Sequence, residues 1–151
     1  MAAYSFLGTG MKFPPQIDPA TGRFATSSDA ESIKESVYLI LMTQQTERIT
    51  RPEFGSTLLS YTFVDMTHTS ISMLVYSLRE LLIHQEPRIS DVEITTENHA
   101  KSGVLLVNVD YVISRTNTRD NLVFPFYLNA INEEEEGESE FYEPEDNRDD
   151  V

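Results

Sequence analysis

Acid–base or metal chemistry in this 151-residue chain would rest first on its three histidines and 25 acids, because it has no cysteine. Thiolate metal sites, disulfides and cysteine nucleophiles are excluded outright. His68 and His84 fall in one stretch of helical pattern, where sixteen residues turn them about 160° apart at ~100° per residue. They cannot chelate one ion, His99 lies elsewhere, and no HExxH or HxH pattern occurs, so no metal site and no cofactor are expected. Paired carboxylates suggest glycan hydrolysis, which needs two carboxyls roughly 5 to 10 Å apart, one with a raised pKa. Glu80 and Glu86 are six apart and sit on different sides of a helix. Glu47 and Glu53 flank a loop and could converge, but no apolar, aromatic pocket marks them, and the chain has no Trp. Neither a GxSxG elbow, a P-loop nor a GxGxxG is present. No catalytic residue is assigned. Two arginine-bearing loops remain. ERITRPEFG sets Arg48, Arg51 and Glu53 beside Phe54 and Gly55, and HQEPRI sets Glu86 and Arg88 around Pro87. Arginine suits bidentate pairing at interfaces, and equally these ions could cap helix ends or pair with each other inside the domain.

The elements that position these loops are α+β. Ser28 and Glu31 have capping-box spacing, and Ile33, Val37, Ile40 and Leu41 follow at helical period until Gln44. Pro52 and Gly55 break the chain next. A second helix starts between Asp65 and Thr69. Ile71, Leu74, Val75, Leu78, Leu81 and Leu82 make its core stripe, and Pro87, which lacks an N–H and clashes with the preceding turn, ends it. The period then becomes two. Val92, Ile94 and Thr96 form one strand face. Leu105, Val107, Val109, Tyr111 and Ile113 form the next, and Leu122, Phe124, Phe126 and Leu128 the third. ENHAKSG and TNTRDN are the turns. Two helices therefore pack on a three-stranded antiparallel meander. Pro125 marks the last strand as an edge, since a sheet interior has no use for a missing N–H. The proline guards that edge against aggregation, or leaves one half of it available for a partner strand.

Three segments are expected: an extended lead-in over 1–27, the domain over 28–131 and a disordered acidic tail over 132–151. Pro14-Pro15 and Asp18-Pro19 bar helix from the lead-in, and DPATGRF reads as a turn with Gly22 at positive φ. Phe6, Phe13, Ile17 and Phe24 there either cover this domain's core or dock on a partner. The formal net charge is -14, and residues 133–151 hold eleven acids against one arginine. Such a tail cannot bury enough to fold alone, although Phe141-Tyr142 could be a short docking motif. No basic stripe exists for a phosphate backbone, so direct nucleic-acid binding is not expected. No apolar run approaches the roughly 20 residues of a membrane span. The opening MAAYSFLGTGMKF is not a signal peptide, which predicts a protein made in the cytoplasm.

Four stretches in order, GTGMKFPP, LMTQQTERITRPEFGS, LLIHQEPRI and LVFPFYL, resemble the baseplate wedge family of contractile tails. That family includes the small wedge subunit at the sheath base of T-even phages and relatives in type VI secretion, R-type bacteriocins and contractile injection systems. The likeness spans roughly residues 8 to 130 and leaves the tail outside. One departure is Gln45-Thr46, where relatives often carry Gly before the Glu-Arg pair, and this should alter loop shape but not role. The resemblance implies a structural subunit without cofactor, assembled in the bacterial cytoplasm, in about six copies in a six-fold particle. It implies that Glu86, Pro87 and Arg88, with Arg48, Arg51 and Phe54, meet neighbouring wedge proteins. It implies further that the strand Leu122, Val123, Phe124, Pro125, Phe126, Tyr127, Leu128 exchanges with a sheath subunit and templates the first sheath ring. Pro87, by turning the chain into the first strand, is expected to expose Glu86 and Arg88 on a rigid corner. The family has also carried a lysozyme-like label. The alternative function is therefore a peptidoglycan hydrolase using paired glutamates.

Overall fold

The computed structural model describes residues 6–128, so the acidic tail and Phe141-Tyr142 lie outside the described residues. Strands β1 (Thr9–Met11) and β2 (Thr26–Ser28) precede helix α1 (Asp29–Met42). A long loop with a 3-10 turn at Leu58–Tyr61 leads to helix α2 (His68–Gln85). Strands β3 (Ile89–His99), β4 (Val104–Ile113) and β5 (Thr118–Tyr127) complete the fold as an antiparallel sheet in the order β3-β4-β5. No helix among the described residues is long and apolar enough to cross a membrane.

The α1 stripe is buried in full, while in the predicted α2 stripe Leu74, Leu78 and Leu82 are buried and Ile71, Val75 and Leu81 are half-buried. Ile33, Val37, Ile40 and Leu41 of α1 and Leu74, Leu78 and Leu82 of α2 are buried against Val107, Val109, Tyr111 and Phe124 of the sheet. Each such side chain contributes about 1.5 to 3 kcal/mol by leaving water. Thr67 caps α2, its hydroxyl accepting the Ser70 amide at 3.2 Å. The predicted capping box on α1 does not form. Ser28 is the N-cap residue, yet its side chain makes no cap hydrogen bond, because its backbone is already paired with Thr9 in the β1–β2 ribbon. Glu31 reaches instead to Lys12 at 2.8 Å.

Strand β3 needs one extra residue to keep its apolar face. Ile89, Val92 and Ile94 are all buried although the first two are three apart. A register shift between Ser90 and Glu93, with Asp91 at φ 49°, absorbs the difference. This is a β-bulge. The last turn lies earlier than TNTRDN suggests. It spans Ser114 to Asn117, with Asn117 at φ 52° and its amide bonded to the Ile113 carbonyl at 2.8 Å.

The extended lead-in is paired with itself. Thr9–Met11 pairs with Thr26–Ser28, and an isolated bridge joins Ile17 to Phe24. The turn between them is the predicted one. Gly22 has φ 66°, and the Asp18 carboxylate accepts the Ala20 amide and the Thr21 hydroxyl, each at 2.9 Å. Those bonds hold the Asp18 carboxyl below its ordinary range. Among its described apolar residues only Leu7 enters the core, while Phe6, Ile17 and Phe24 each stay more than half exposed. Phe13 leans on Tyr38, ring centroids 5.8 Å apart, and Tyr38 in turn on Phe124 at 5.6 Å.

Candidate functional site

Glu86 is the residue after α2. Its backbone is extended, φ -117° and ψ 91°, as the following proline requires. A carboxylate at a helix C-terminus meets the negative end of the dipole, so it needs a compensating cation. Arg88 supplies one. Its Nε donates to Glu86 Oε1 at 2.7 Å and its Nη2 to Oε2 at 2.8 Å, a bidentate pair. Ser36 of α1 donates its hydroxyl to the same Oε2 at 2.5 Å. Arg88 Nη1 donates to the Leu7 carbonyl at 3.1 Å, and the Arg88 carbonyl accepts the Ser114 amide at 2.9 Å. Glu86 and Arg88 thus tie α1, α2, the N-terminal segment and the β4–β5 turn together.

This arrangement corrects the expected exposed corner. Glu86 is 3% exposed. Burial pushes its carboxyl up, but the hydrogen bonds from Arg88 and Ser36 and the Arg88 charge outweigh that, and the group is held below its ordinary value. The bond to Glu86 raises Arg88 in turn. The ions pair with each other inside the domain. Pro87 and one edge of Arg88 face outward, the Arg88 side chain keeping 30% of its exposure.

The second loop is folded back on itself. Ser56 N–H donates to Thr43 O at 2.7 Å, Gln45 N–H to Ser56 O at 3.0 Å and Thr46 N–H to Pro52 O at 2.8 Å. The Ser56 hydroxyl reaches the Leu41 carbonyl at 2.9 Å, closing the end of α1. Gly55 has φ 103°, and a Cβ there would lie 2.3 Å from the Thr43 carbonyl oxygen. Only glycine fits. Thr46 also has a positive φ, 72°, at the position before the Glu-Arg pair. On the surface, Arg48 sits 4.9 Å and Arg51 5.7 Å from the centre of the Phe54 ring. Arg51 has one distant ion pair, 3.6 Å to the exposed Glu53. Arg48 has no acid within ion-pair range among the described residues.

Gln85 joins the two motifs, and sequence reasoning missed it. Its Oε1 accepts the Gly55 amide at 2.9 Å, and its Nε2 donates to the carbonyls of Glu53 at 2.9 Å and Gly55 at 3.2 Å. Its neighbours in HQEPRI were the only signal, an amide being unremarkable at a helix end. As a result Phe54 and Arg88 line one groove of about 310 Å³, with Gly8–Met11 on one wall and Ser32, Glu35, Ser36 and Leu39 on the other.

The remaining candidates separate. Glu47 spends its carboxylate on the Gln44 amide at 3.0 Å, and Glu53 points to Arg51, so the loop carboxylates do not share a cleft. His68 and His84 both lie on α2, and no three potential metal ligands cluster among the described residues. Strand β5 is at the sheet edge, as Pro125 predicted, with Leu122, Phe124 and Phe126 turned inward and Val123, Pro125 and Tyr127 outward. It starts at Thr118, ahead of the expected Leu122. Leu128 N–H donates to Gly103 O at 2.7 Å. Bonded pairs alternate along an antiparallel ladder, and Pro125 opposes Leu106, so its missing N–H falls on the free side.

Residues 27–118 match a family model described as Baseplate wedge protein gp25. The chain is similar to a candidate tail lysozyme of Geobacter sulfurreducens, known as a crystal structure. Identity is 40% over 68% of this chain and 93% of that one, with a TM-score of 0.63. It is similar in fold to a chain of the anti-feeding prophage baseplate, 22% identical over 83% of this chain and 89% of that one, TM-score 0.54. A chain of the type VI secretion baseplate complex aligns at 18% identity over 64% and 91%, TM-score 0.55. No curated protein matches.

Proposed function

This chain belongs to the baseplate wedge protein gp25 family, structural components of contractile-tail baseplates, and on that premise we propose that it joins the wedge to the sheath. The groove between β1 and α1, with Phe54 and Arg88 both on its rim, is the surface that meets neighbouring wedge proteins. The observation that carries this is the Gln85 clamp, which fixes the two motifs as one rigid unit. Above that unit stand two arginines stacked on Phe54. Exposed guanidiniums without strong internal partners keep their donors for another chain. Glu86 and Pro87 act through Arg88, by holding it in place. The edge from Leu122 to Leu128, the second half of β5 and the residue after it, exchanges with a sheath subunit and templates the first ring. Six-fold symmetry of such a particle supports about six copies per baseplate, and assembly in the bacterial cytoplasm completes the proposal.

The hydrolase reading fares worse. A glycosidase acid needs a raised pKa, and the one buried glutamate among the described residues is pushed the other way. The double variant Arg48→Ala/Arg51→Ala tests the wedge surface, since exposed pairs are worth only about 0–1 kcal/mol. Its melting should stay within about 3 °C of the parent, while sheathed particles disappear from negative-stain fields. Normal sheathed particles would sink the assignment of this loop. Clearing of a cell-wall suspension by the purified chain would restore the hydrolase.

A further inference from the structure

The sheet has two edges, and they are unlike. The Leu128–Gly103 bond fixes which amides face where. The odd-numbered residues of β4 bond to β5, so its even-numbered residues bond to β3. The Ser114 amide on the Arg88 carbonyl agrees with this. Partners of those even residues are Glu93, Thr95, Glu97 and His99, opposite Asp110, Asn108, Leu106 and Val104. The amides of Ile94, Thr96 and Asn98 therefore aim away from the sheet. None of the three donates to any backbone or side-chain acceptor among the described residues.

Along β5 the outward amides belong to Arg119, Asn121, Val123 and Tyr127, with Pro125 contributing none. That run is broken twice. Pro125 removes one donor, and the Asp120 carboxylate occupies the Asn121 amide at 2.8 Å. Edge β3 has no such interruption over three successive outward positions. An incoming strand would find a continuous ladder there.

Charge decides which strand. Glu93 and Glu97 project from the outer face of β3, beside the line an added strand would take, and Asp91 and Asp110 stand on the same face. Among the described residues the one Lys or Arg bonded to them is Arg119, 3.5 Å from Asp91; Glu97 has His99 at 3.7 Å. A second copy of this acidic chain would bring like charges side by side and be repelled. Charged side chains at an edge serve that purpose, and the same charges admit a strand of opposite sign.

We propose that the β3 edge, at Ile94, Thr96 and Asn98, receives an extended strand of a partner protein carrying Lys or Arg at alternate positions opposite Glu93 and Glu97. This surface is distinct from β5 and from the arginine loop, so it stands or falls apart from the roles given to them.

Amide hydrogen exchange on the full chain tests it. The probes are a ten-residue peptide alternating lysine with valine, and the same peptide with glutamate for lysine. The lysine peptide should slow exchange at Ile94, Thr96 and Asn98 by about tenfold more than the glutamate peptide. In Glu93→Lys/Glu97→Lys, both exposed positions, the preference should reverse. Protection confined to Val123 and Tyr127 would overturn the proposal in favour of β5. Equal protection by both peptides would remove the charge argument, and protection nowhere would leave β3 a closed edge.

Discussion

Removing the Arg88 side chain should unfold the corner that holds the domain together, and the size of the effect follows from burial. Glu86 keeps 4% of its side-chain exposure and Arg88 30%. In Arg88→Ala the carboxylate would remain buried beside α2 with only Ser36 and a backbone amide to hold its charge. Breaking a buried pair from one side costs about 3 to 5 kcal/mol. The partial exposure of Arg88 places this one near 3 kcal/mol, a fall in Tm of roughly 10 °C for a domain of this size. Glu86→Gln keeps the shape and removes the charge, so it should cost less at pH 7. Its pH dependence is the sharper test. The folded carboxyl lies below its ordinary value near 4.5. A depressed carboxyl contributes stability that is complete above the unfolded value and lost as pH falls through the folded one. Differential scanning from pH 7 down to pH 3 should therefore show the parent's advantage over Glu86→Gln shrinking below about pH 4.5. An advantage constant over that range would refute the electrostatic account. An Arg88→Ala Tm within about 2 °C of the parent would refute the burial account as well.

Two backbone predictions concern the arginine loop. Gly55→Ala places a Cβ 2.3 Å from the Thr43 oxygen at φ 103°. It should cost about 3 kcal/mol or more, read as a lower urea midpoint together with faster exchange at the Ser56 amide. Thr46→Gly should do the opposite. A β-branched residue at φ 72° carries about 1–2 kcal/mol of strain, of which glycine's chain entropy returns part. A net gain of about 0.5 to 1 kcal/mol in urea unfolding is expected, and a loss would mean that Thr46 makes a contact worth more than its strain.

Long periodic stretches were legible because burial alone decides them. The stripe from Leu74 to Leu82 and the alternation from Leu105 to Ile113 needed no knowledge of partners. Pro125 was legible too, since a missing N–H has one tolerable place in a small sheet. What failed was anything set by two distant segments at once. The Ser28–Glu31 box looked sufficient locally, yet Lys12 and the β1 ladder outbid it from the lead-in. The ribbon itself, three residues on each side, is too short for any period to mark. EPR raised the same difficulty. An acid and a guanidinium around a proline read equally as a solvated corner or a buried pair, and Ser36 and the Leu7 carbonyl, 50 and 81 residues away in sequence, made the choice.

That outcome changes what a signature of this kind means. The salt bridge faces inward, so loss of assembly in a Glu86 variant would not by itself identify a contact. Glu86 orients Arg88, Arg88 anchors the N-terminal segment, and that segment forms one wall of the groove. Gln85, one residue earlier, sets the opposite rim by gripping Gly55. A single helix terminus therefore positions both sides of the surface assigned to the wedge, and only Glu86, Pro87 and Arg88 separate it from the first strand of the three-stranded sheet. Stability and docking share these atoms. Separating them requires the outward groups that the fold does not use, Arg48 above all, because a variant there changes what stands over the Phe54 rim without changing what holds the groove open.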